Sequence, residues 1–238
     1  KISMIDGKRV LAVVPARGGS KRLPRKNVLE LNGKPMITWT IEAALNCMLI
    51  DKVVVSTDDL EISAIAKSCG ADVPFLRPAN LSTDLSSSID VVTHTLDFLQ
   101  NSKEYFEIVV LLQPTSPLRC SETISEALNY YSAKQALGVI SVCRSEHSPI
   151  WSNTLNESME MKGFLPDKYK NVRGQDLPVY YRINGAIYIS DVATLKAEST
   201  FMLEDKLFAF GMSTLESIDI DELEDFHFAE YMMAKLKL

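Results

Sequence analysis

The sequence predicts an α/β fold built on a mostly parallel sheet, and three observations carry that prediction. Short runs rich in β-branched residues, of the kind that form strands buried on both faces, recur at Val10–Val14, Lys52–Val55, Ile108–Leu112 and Gly138–Cys143. Segments with apolar residues at helical spacing separate them, so strand and helix alternate roughly every 25–30 residues up to about residue 145. Loops holding Gly or Pro leave the ends of these strands, where such sheets bind ligands. Parallel strands joined through helices imply right-handed crossovers.

Taken in order, Lys8–Arg9 lead into the first strand, and the loop Ala16–Asn27, ARGGSKRLPRKN, follows at once. Pro35–Cys47 then carries Met36, Trp39, Ile41, Ala43–Ala44 and Cys47 at helical spacing, with Pro35 in the first turn. After the strand Lys52–Val55, Ser56–Asp59 offers caps to a helix over Leu60–Ser68 that Gly70 closes. Pro78–Ser88 is polar and rich in turn residues, and Ile89–Leu99 reads as a helix with Val92, Leu96 and Leu99 on one face. Ile108–Leu112 runs into Gln113–Arg119, where two prolines enforce an extended loop. A helix over Ser121–Ser132 and the strand Gly138–Cys143 follow. From Glu146 to Pro178 the chain is polar and irregular, too long for a plain connection, so 146–178 is read as an excursion for subunit contacts within one domain over 1–238. Val179–Tyr181 and Ala186–Ser190 resume the sheet around Asn184–Gly185, and Glu222–Leu236 ends as a helix.

Composition narrows the function. With 238 residues, 46% of them hydrophobic, the chain can bury a sizeable core. Its net charge of −6 argues against a general nucleic-acid binder, which needs a broad basic surface. No apolar run approaches the ~20 residues that span a bilayer, and the first residues lack a signal-peptide pattern, so no membrane partner and a cytoplasmic location are expected. Cys47, Cys69, Cys120 and Cys143 are widely spaced without a C-x-x-C pair, as expected of reduced core residues rather than zinc ligands.

Three constellations could carry chemistry. The loop after the first strand gathers Arg17, Lys21, Arg22, Arg25 and Lys26 on an acidic protein, and Gly18 and Gly19 would let its backbone approach a small polyanion such as a triphosphate. It is neither a Walker A loop nor G-x-G-x-x-G. Arg22 and Arg25 are read as open to solvent. In Ser217–Asp221, alternation puts Asp219 and Asp221 on one face and Ile218 and Ile220 on the other; the two carboxylates suit Mg²⁺, while Asp221 with Glu224 would equally suit a helix cap. Asp58–Asp59 is read as capping. Gln113, Thr115, Ser116 and Asn184 add neutral hydrogen-bonding groups at two strand ends, as sugar or base recognition requires. His94 and His227 fall within helical patterns and His147 beside the excursion, and no Ser-His-Asp arrangement emerges.

The ordered set VVPARGGSKRLPRKN, VVVSTDD, RPANLSTDLSSS, LLQPTSPLR, RINGAIYI and SIDID resembles the acylneuraminate cytidylyltransferases, or CMP-sialic acid synthetases, over nearly the whole chain. The resemblance implies a three-layer α/β/α, Rossmann-like nucleotidyltransferase fold with a small dimerisation insertion. It further implies a homodimer and a Mg²⁺-dependent reaction of CTP with a nine-carbon 2-keto sugar acid, releasing pyrophosphate. By the same resemblance Arg17, Ser20, Lys21 and Lys26 would hold the triphosphate, with Arg17 and Lys26 offsetting charge in the transition state. Asn27 and Ser88 would bind the nucleotide, with Arg77 lining that side. Asp219 and Asp221 would hold Mg²⁺, and Asp221 would help deprotonate the attacking hydroxyl. Gln113, Asn184, Tyr188 and Phe201 match sugar-side positions, and Arg173 would reach from a partner subunit to the sugar carboxylate. A bacterial role in surface-polysaccharide synthesis belongs to the same implication. Trp151 and Met202 depart from the pattern of some members, which leaves N-acetylneuraminate, legionaminate and related nonulosonates open as the substrate. Two other classes stand beside this one. A nucleotide-sugar-dependent glycosyltransferase using Asp219-x-Asp221 would carry that pair mid-chain rather than late, and a non-catalytic nucleotide-binding protein would have lost a charged partner.

Overall fold

The computed structural model describes residues 5–236. In chain order the elements are β1 (Val10–Pro15), β2 (Glu30–Leu31), β3 (Lys34–Pro35), α1 (Met36–Asn46), β4 (Lys52–Ser56), α2 (Leu60–Ser68), α3 (Ser88–Asn101), β5 (Ile108–Leu111), α4 (Ser121–Ala133), β6 (Gly138–Arg144), β7 (Tyr181–Asp191), α5 (Val192–Glu198), β8 (Leu207–Met212) and α6 (Leu223–Leu236). Six strands form one sheet in the order β4-β1-β5-β7-β6-β8, and β2 and β3 form a separate small hairpin. β1 runs parallel to β4 and β5, and β6 to β8; β7 alone is antiparallel to its neighbours β5 and β6.

Alternation along β1 explains the layers. Val10, Ala12 and Val14 pack into a core with Ile37 and Ile41 of α1, Ile62 of α2 and Ile124 of α4. Leu11 and Val13 point the other way, into a core with Val92, Leu96 and Leu99 of α3 and Leu195 of α5. A strand whose residues are all apolar therefore has helices on both faces, the three-layer arrangement expected. A third cluster gathers Leu23 of the basic loop, Leu31 of the hairpin, Leu118, Ile220, and Phe226, Ala229 and Met233 of α6. Burying a side chain such as Phe226 is worth about 1.5–3 kcal/mol, and here that gain clamps four otherwise separate loop segments around one end of the sheet.

Three expectations are corrected. The sheet does not break at Asn184–Gly185: β7 runs continuously through it, with Gly185 at φ +75° and a register shift opposite Ile140/Val142, so the glycine marks a bulge rather than a turn. The periodicity also missed α5 and β8. The first is a single short helix capped by the Asp191 side chain, which accepts from Thr194 N, and the second is an edge strand with half-exposed residues. Finally, Cys120 is exposed rather than in the core, its sulfur 3.1 Å from Thr123 Oγ1. The excursion after β6 contains single 3-10 turns at Pro149–Trp151, Asp167–Tyr169 and Gly174–Asp176; Trp151 lies over Gly174, where a Cβ would meet the indole at 2.7 Å. Among the described residues no helix is long and apolar enough to cross a membrane.

Candidate functional site

The order in which strands are added reverses at β1, with β4, the next strand of this sheet, on one side and β5 on the other, and a crevice opens beyond the carboxyl ends of such a pair. A cavity of about 510 Å³ occupies that place. The basic loop forms one wall, the Thr83–Ser88 stretch another, and Gln113–Thr115 and Asp221 close it. Ser87 caps α3 in a reciprocal pair with Asp90, so the positive end of a long helix meets the cavity at Ser88.

The loop is fastened by its own backbone and by two acids of the β4–α2 turn. Gly18 N donates to Asp58 Oδ1 at 2.9 Å, and Asn27 Nδ2 donates to the Arg17 carbonyl at 3.1 Å. Arg25, in the left-handed region at φ 59°, pairs with Asp59 and Glu61. Arg25, its side chain 41% exposed, is open to solvent as expected and also fastens the loop to α2, where its guanidinium holds the Asp59 carboxyl below the usual range. Asp59 also caps α2 as expected, accepting from Ile62 N at 3.0 Å.

Gly18 is explained by this packing rather than by ligand approach, since a Cβ there would lie 2.6 Å from Asp59 Oδ2. Gly18→Ala is expected to destabilise the protein by about 1–3 kcal/mol, as overpacking does. Urea midpoints should show the loss, and the same change should cost less in an Asp59→Ala background.

Four cations of the loop meet two carboxylates across the cavity. Arg17 Nη1 lies 2.8 Å from Asp84 Oδ1, and Lys21 pairs with the other oxygen of the same carboxylate. Lys21, and after it Arg17, hold the Asp84 carboxyl below its ordinary range. Lys26 Nζ donates to the Ile220 carbonyl at 2.6 Å and to Asp221 Oδ1 at 3.1 Å, while Arg22 Nη2 lies 2.8 Å from Asp221 Oδ2. Arg22 is open to solvent as expected, its side chain 63% exposed, and from there it also reaches Asp221 at the cavity edge. The capping role considered for Asp221 falls to Asp225, whose Oδ2 accepts from the backbone N–H of Asp221 and Glu222 at 3.0 and 2.9 Å. That leaves the Asp221 carboxylate to the two cations.

Asp219 lies on the same extended segment and reaches solvent, yet the protein packed around its carboxyl raises its pKa; the Thr115 hydroxyl opposes that rise and Asp221 adds to it. Tyr188 stands near enough that Asp219, after burial, raises its phenol, and its ring meets that of Phe201 at 5.4 Å between centroids. Two carboxylates two residues apart, beside a buried Thr115 hydroxyl with no full hydrogen-bond partner, fit a Mg²⁺ ion, which takes one or two carboxylates and fills its shell with water and phosphate oxygens. Among the described residues no group of three or more His, Cys, Asp or Glu could hold a metal.

Of the residues singled out from sequence, Arg17, Ser20, Lys21, Lys26, Asn27, Arg77, Ser88, Gln113 and Asp221 line the cavity; Asp219, Arg173, Asn184, Tyr188 and Phe201 do not. Arg77 is buried, with Nη2 donating to the Ser56 carbonyl at 2.8 Å. Arg173 is exposed and pairs with Asp176 at 2.7 Å. Asn184 is inside the fold rather than on a cleft wall. Its Oδ1 accepts from Ser141 Oγ at 2.6 Å and Ala186 N at 3.1 Å, and its Nδ2 donates to Ser217 Oγ at 2.8 Å and approaches Met212 Sδ at 3.4 Å. It anchors the segment that leads to Asp219. The sequence reading missed Asp84, the one acid in the polar run RPANLSTDLSSS, and Arg119, which is fully buried. Arg119 donates to the carbonyls of Gln113 and Ala186 at 3.2 and 2.6 Å and to Thr40 Oγ1 at 2.9 Å, holding Gln113 at the cavity. Burial pushes its guanidinium down to about 9, so it stays protonated at neutral pH.

Comparison with known proteins gives one consistent picture. Residues 11–234 match a family model described as "Cytidylyltransferase". The chain is 38% identical over 231 residues to the CMP-N,N'-diacetyllegionaminic acid synthase of Legionella pneumophila, covering 94% of this chain and 96% of that one. It is 35% identical over 223 residues to the pseudaminic acid cytidylyltransferase of Campylobacter jejuni, covering 93% and 95%. The N-acylneuraminate cytidylyltransferase of Streptococcus agalactiae serotype V is 38% identical over 221 residues, which cover 91% of this chain and 51% of that longer protein. In fold, a solved CMP:2-keto-3-deoxy-manno-octonic acid synthetase complexed with CTP superposes with a TM-score of 0.70 at 19% identity, over 96% of this chain and 99% of that one.

Proposed function

The chain belongs to the cytidylyltransferase family, and from that premise we propose that it transfers CMP from CTP to the anomeric hydroxyl of a sialic-acid-like nine-carbon 2-keto sugar acid. The observation that carries this reading is the contact of Lys26 with Asp221: one side chain joins the basic loop to the acidic segment within a single cavity. A triphosphate bound along Arg17, Ser20 and Lys21 would then present its α-phosphorus near Lys26. The anomeric oxygen forms a bond to that phosphorus, the bond from phosphorus to the bridging oxygen of the β-phosphate breaks, and pyrophosphate leaves with the bond electrons. The Asp221 carboxylate accepts the hydroxyl proton. Lys26 and Arg17 offset the charge that builds on the transferring group, the main task in phosphoryl-type transfer. Asn27, Arg77 and Ser88 make the nucleoside wall, and Gln113 with the Tyr188–Phe201 pair the sugar side. Asp219 and Asp221 would hold Mg²⁺, which when bound neutralises phosphate charge.

The proposal extends to a homodimer and to the cytoplasm, where CTP is made. Exposed Val179, Tyr181 and Ile183 continue the 146–178 excursion with an apolar strip suited to a second copy, from which Arg173 would reach the sugar carboxylate. The test is incubation with CTP, Mg²⁺ and a panel holding N-acetylneuraminate, legionaminate, pseudaminate and an eight-carbon 2-keto sugar acid. Pyrophosphate release is expected with a nine-carbon acid and is expected to stop on chelation by EDTA. Silence with the whole panel, together with glycosyl transfer from a nucleotide-sugar, would overturn the assignment.

A further inference from the structure

Two of the cations assigned above to the triphosphate, Arg17 and Lys21, converge on one carboxylate of the chain itself, Asp84. Asp84 sits at the tip of a braced turn. Thr83 N donates to Ser86 Oγ at 3.1 Å, Ser86 N to the Thr83 carbonyl at 3.2 Å, and Ser86 Oγ to the Asn80 carbonyl at 3.2 Å. The turn therefore holds a fixed negative charge across the cavity from the basic loop, and all three partners line that cavity.

The donors that Asp84 uses are those a phosphate chain would need. A guanidinium nitrogen at 2.8 Å from a carboxylate oxygen has spent its strongest electrostatic contact there, and a phosphate brought beside an ionised Asp84 is repelled by it. A bound phosphate chain must displace the carboxylate from Arg17 and Lys21 or endure that repulsion. A ligand whose β- and γ-phosphates lie along both cations bears that cost in full, whereas a single phosphate near Lys26 leaves the Asp84 pairs in place and bears little of it.

We propose that Asp84 is a competitor for Arg17 and Lys21 that moderates the affinity of the site for the β- and γ-phosphates of a nucleoside triphosphate while leaving a monophosphate little affected; this rests on the triphosphate assignment above. The same competition favours release of pyrophosphate, since the carboxylate retakes both cations as it leaves.

The test is calorimetric binding of CTP, CDP, CMP and inorganic tripolyphosphate to the full chain in EDTA, for wild type, Asp84→Asn and Asp84→Glu. In Asp84→Asn, CTP and tripolyphosphate are expected to bind more tightly, CMP to change little, and the preference for CTP over CMP to rise by about tenfold, the scale of two partly exposed ion pairs. Asp84→Glu, which keeps the charge, is expected to stay close to the wild-type affinities. Weaker binding of every ligand to Asp84→Asn would mean that Asp84 merely orders Arg17 and Lys21, and a CTP preference over CMP that is unchanged or lowered would likewise overturn the proposal. Failure of the wild type to bind CTP or tripolyphosphate would instead remove the triphosphate assignment itself. Asp84 is on an exposed turn, so melting temperatures of the three proteins are expected to agree.

Discussion

Lys26→Met is expected to lower kcat roughly 100- to 1,000-fold, the range for removal of one preorganised donor from a developing oxyanion. The Lys26 side chain is only 11% exposed, and its Nζ sits between the Ile220 carbonyl and Asp221 Oδ1. An ammonium fixed by two acceptors of the chain meets a developing charge without having to reorganise, which is the condition for a large effect. Methionine keeps the length and apolar stem and removes the charge. It also leaves the Ile220 carbonyl without this donor, a structural loss that a melting curve reads separately. Lys26→Arg should recover part of the rate, since it restores charge but not the compact ammonium. Single-turnover measurement at saturating CTP separates the chemical step from binding. A rate within a few-fold of wild type would leave Lys26 as a tether between loop and acidic segment, with no part in the transfer.

Arg119→Leu is expected to be the most destabilising single change at the site, by about 3–5 kcal/mol. Replacing a buried charge by an apolar group can be neutral when its partners are replaced too. Here they stay: the carbonyls of Gln113 and Ala186 and the hydroxyl of Thr40 would each lose a donor inside the fold, at about 1–3 kcal/mol apiece for those left unsatisfied. Arg119→Lys should rescue incompletely, because one ammonium cannot reproduce the planar fork that reaches all three. Urea unfolding checks the stability, and the surviving folded fraction should show a raised KM for the sugar, since Gln113 loses its support. An unchanged urea midpoint would show that water replaces the guanidinium without loss.

The residues legible in the sequence were those whose role follows from neighbours along the chain. β1 and its basic loop announced themselves as a β-branched run followed by clustered charge, and Asp219 and Asp221 by their alternation with Ile218 and Ile220. The rest depended on closure between segments far apart. Nothing near Asp84 in sequence says that its turn faces Arg17 and Lys21, and nothing near Arg119 says that its acceptors come from β7 and α1. Asn184 read as a polar group at a strand end because an amide is equally fit to bind a sugar or a fold; Ser141 and Ser217, from two other segments, decide for the fold. Gly18 and Gly185 were misjudged for a related reason. A glycine signals close approach or a positive φ, but whether of a ligand, a side chain such as Asp59 or a bulge within a strand is set by tertiary packing.

The direct measurement is to supply CTP labelled at the α-phosphorus, together with Mg²⁺ and the nine-carbon 2-keto sugar acid, and to follow the label. If CMP is transferred to the anomeric oxygen, the label enters a sugar conjugate in step with pyrophosphate release and none leaves with the pyrophosphate. Label recovered as free CMP, with the sugar acid unchanged, would contradict the account and make the cavity a site of nucleotide hydrolysis.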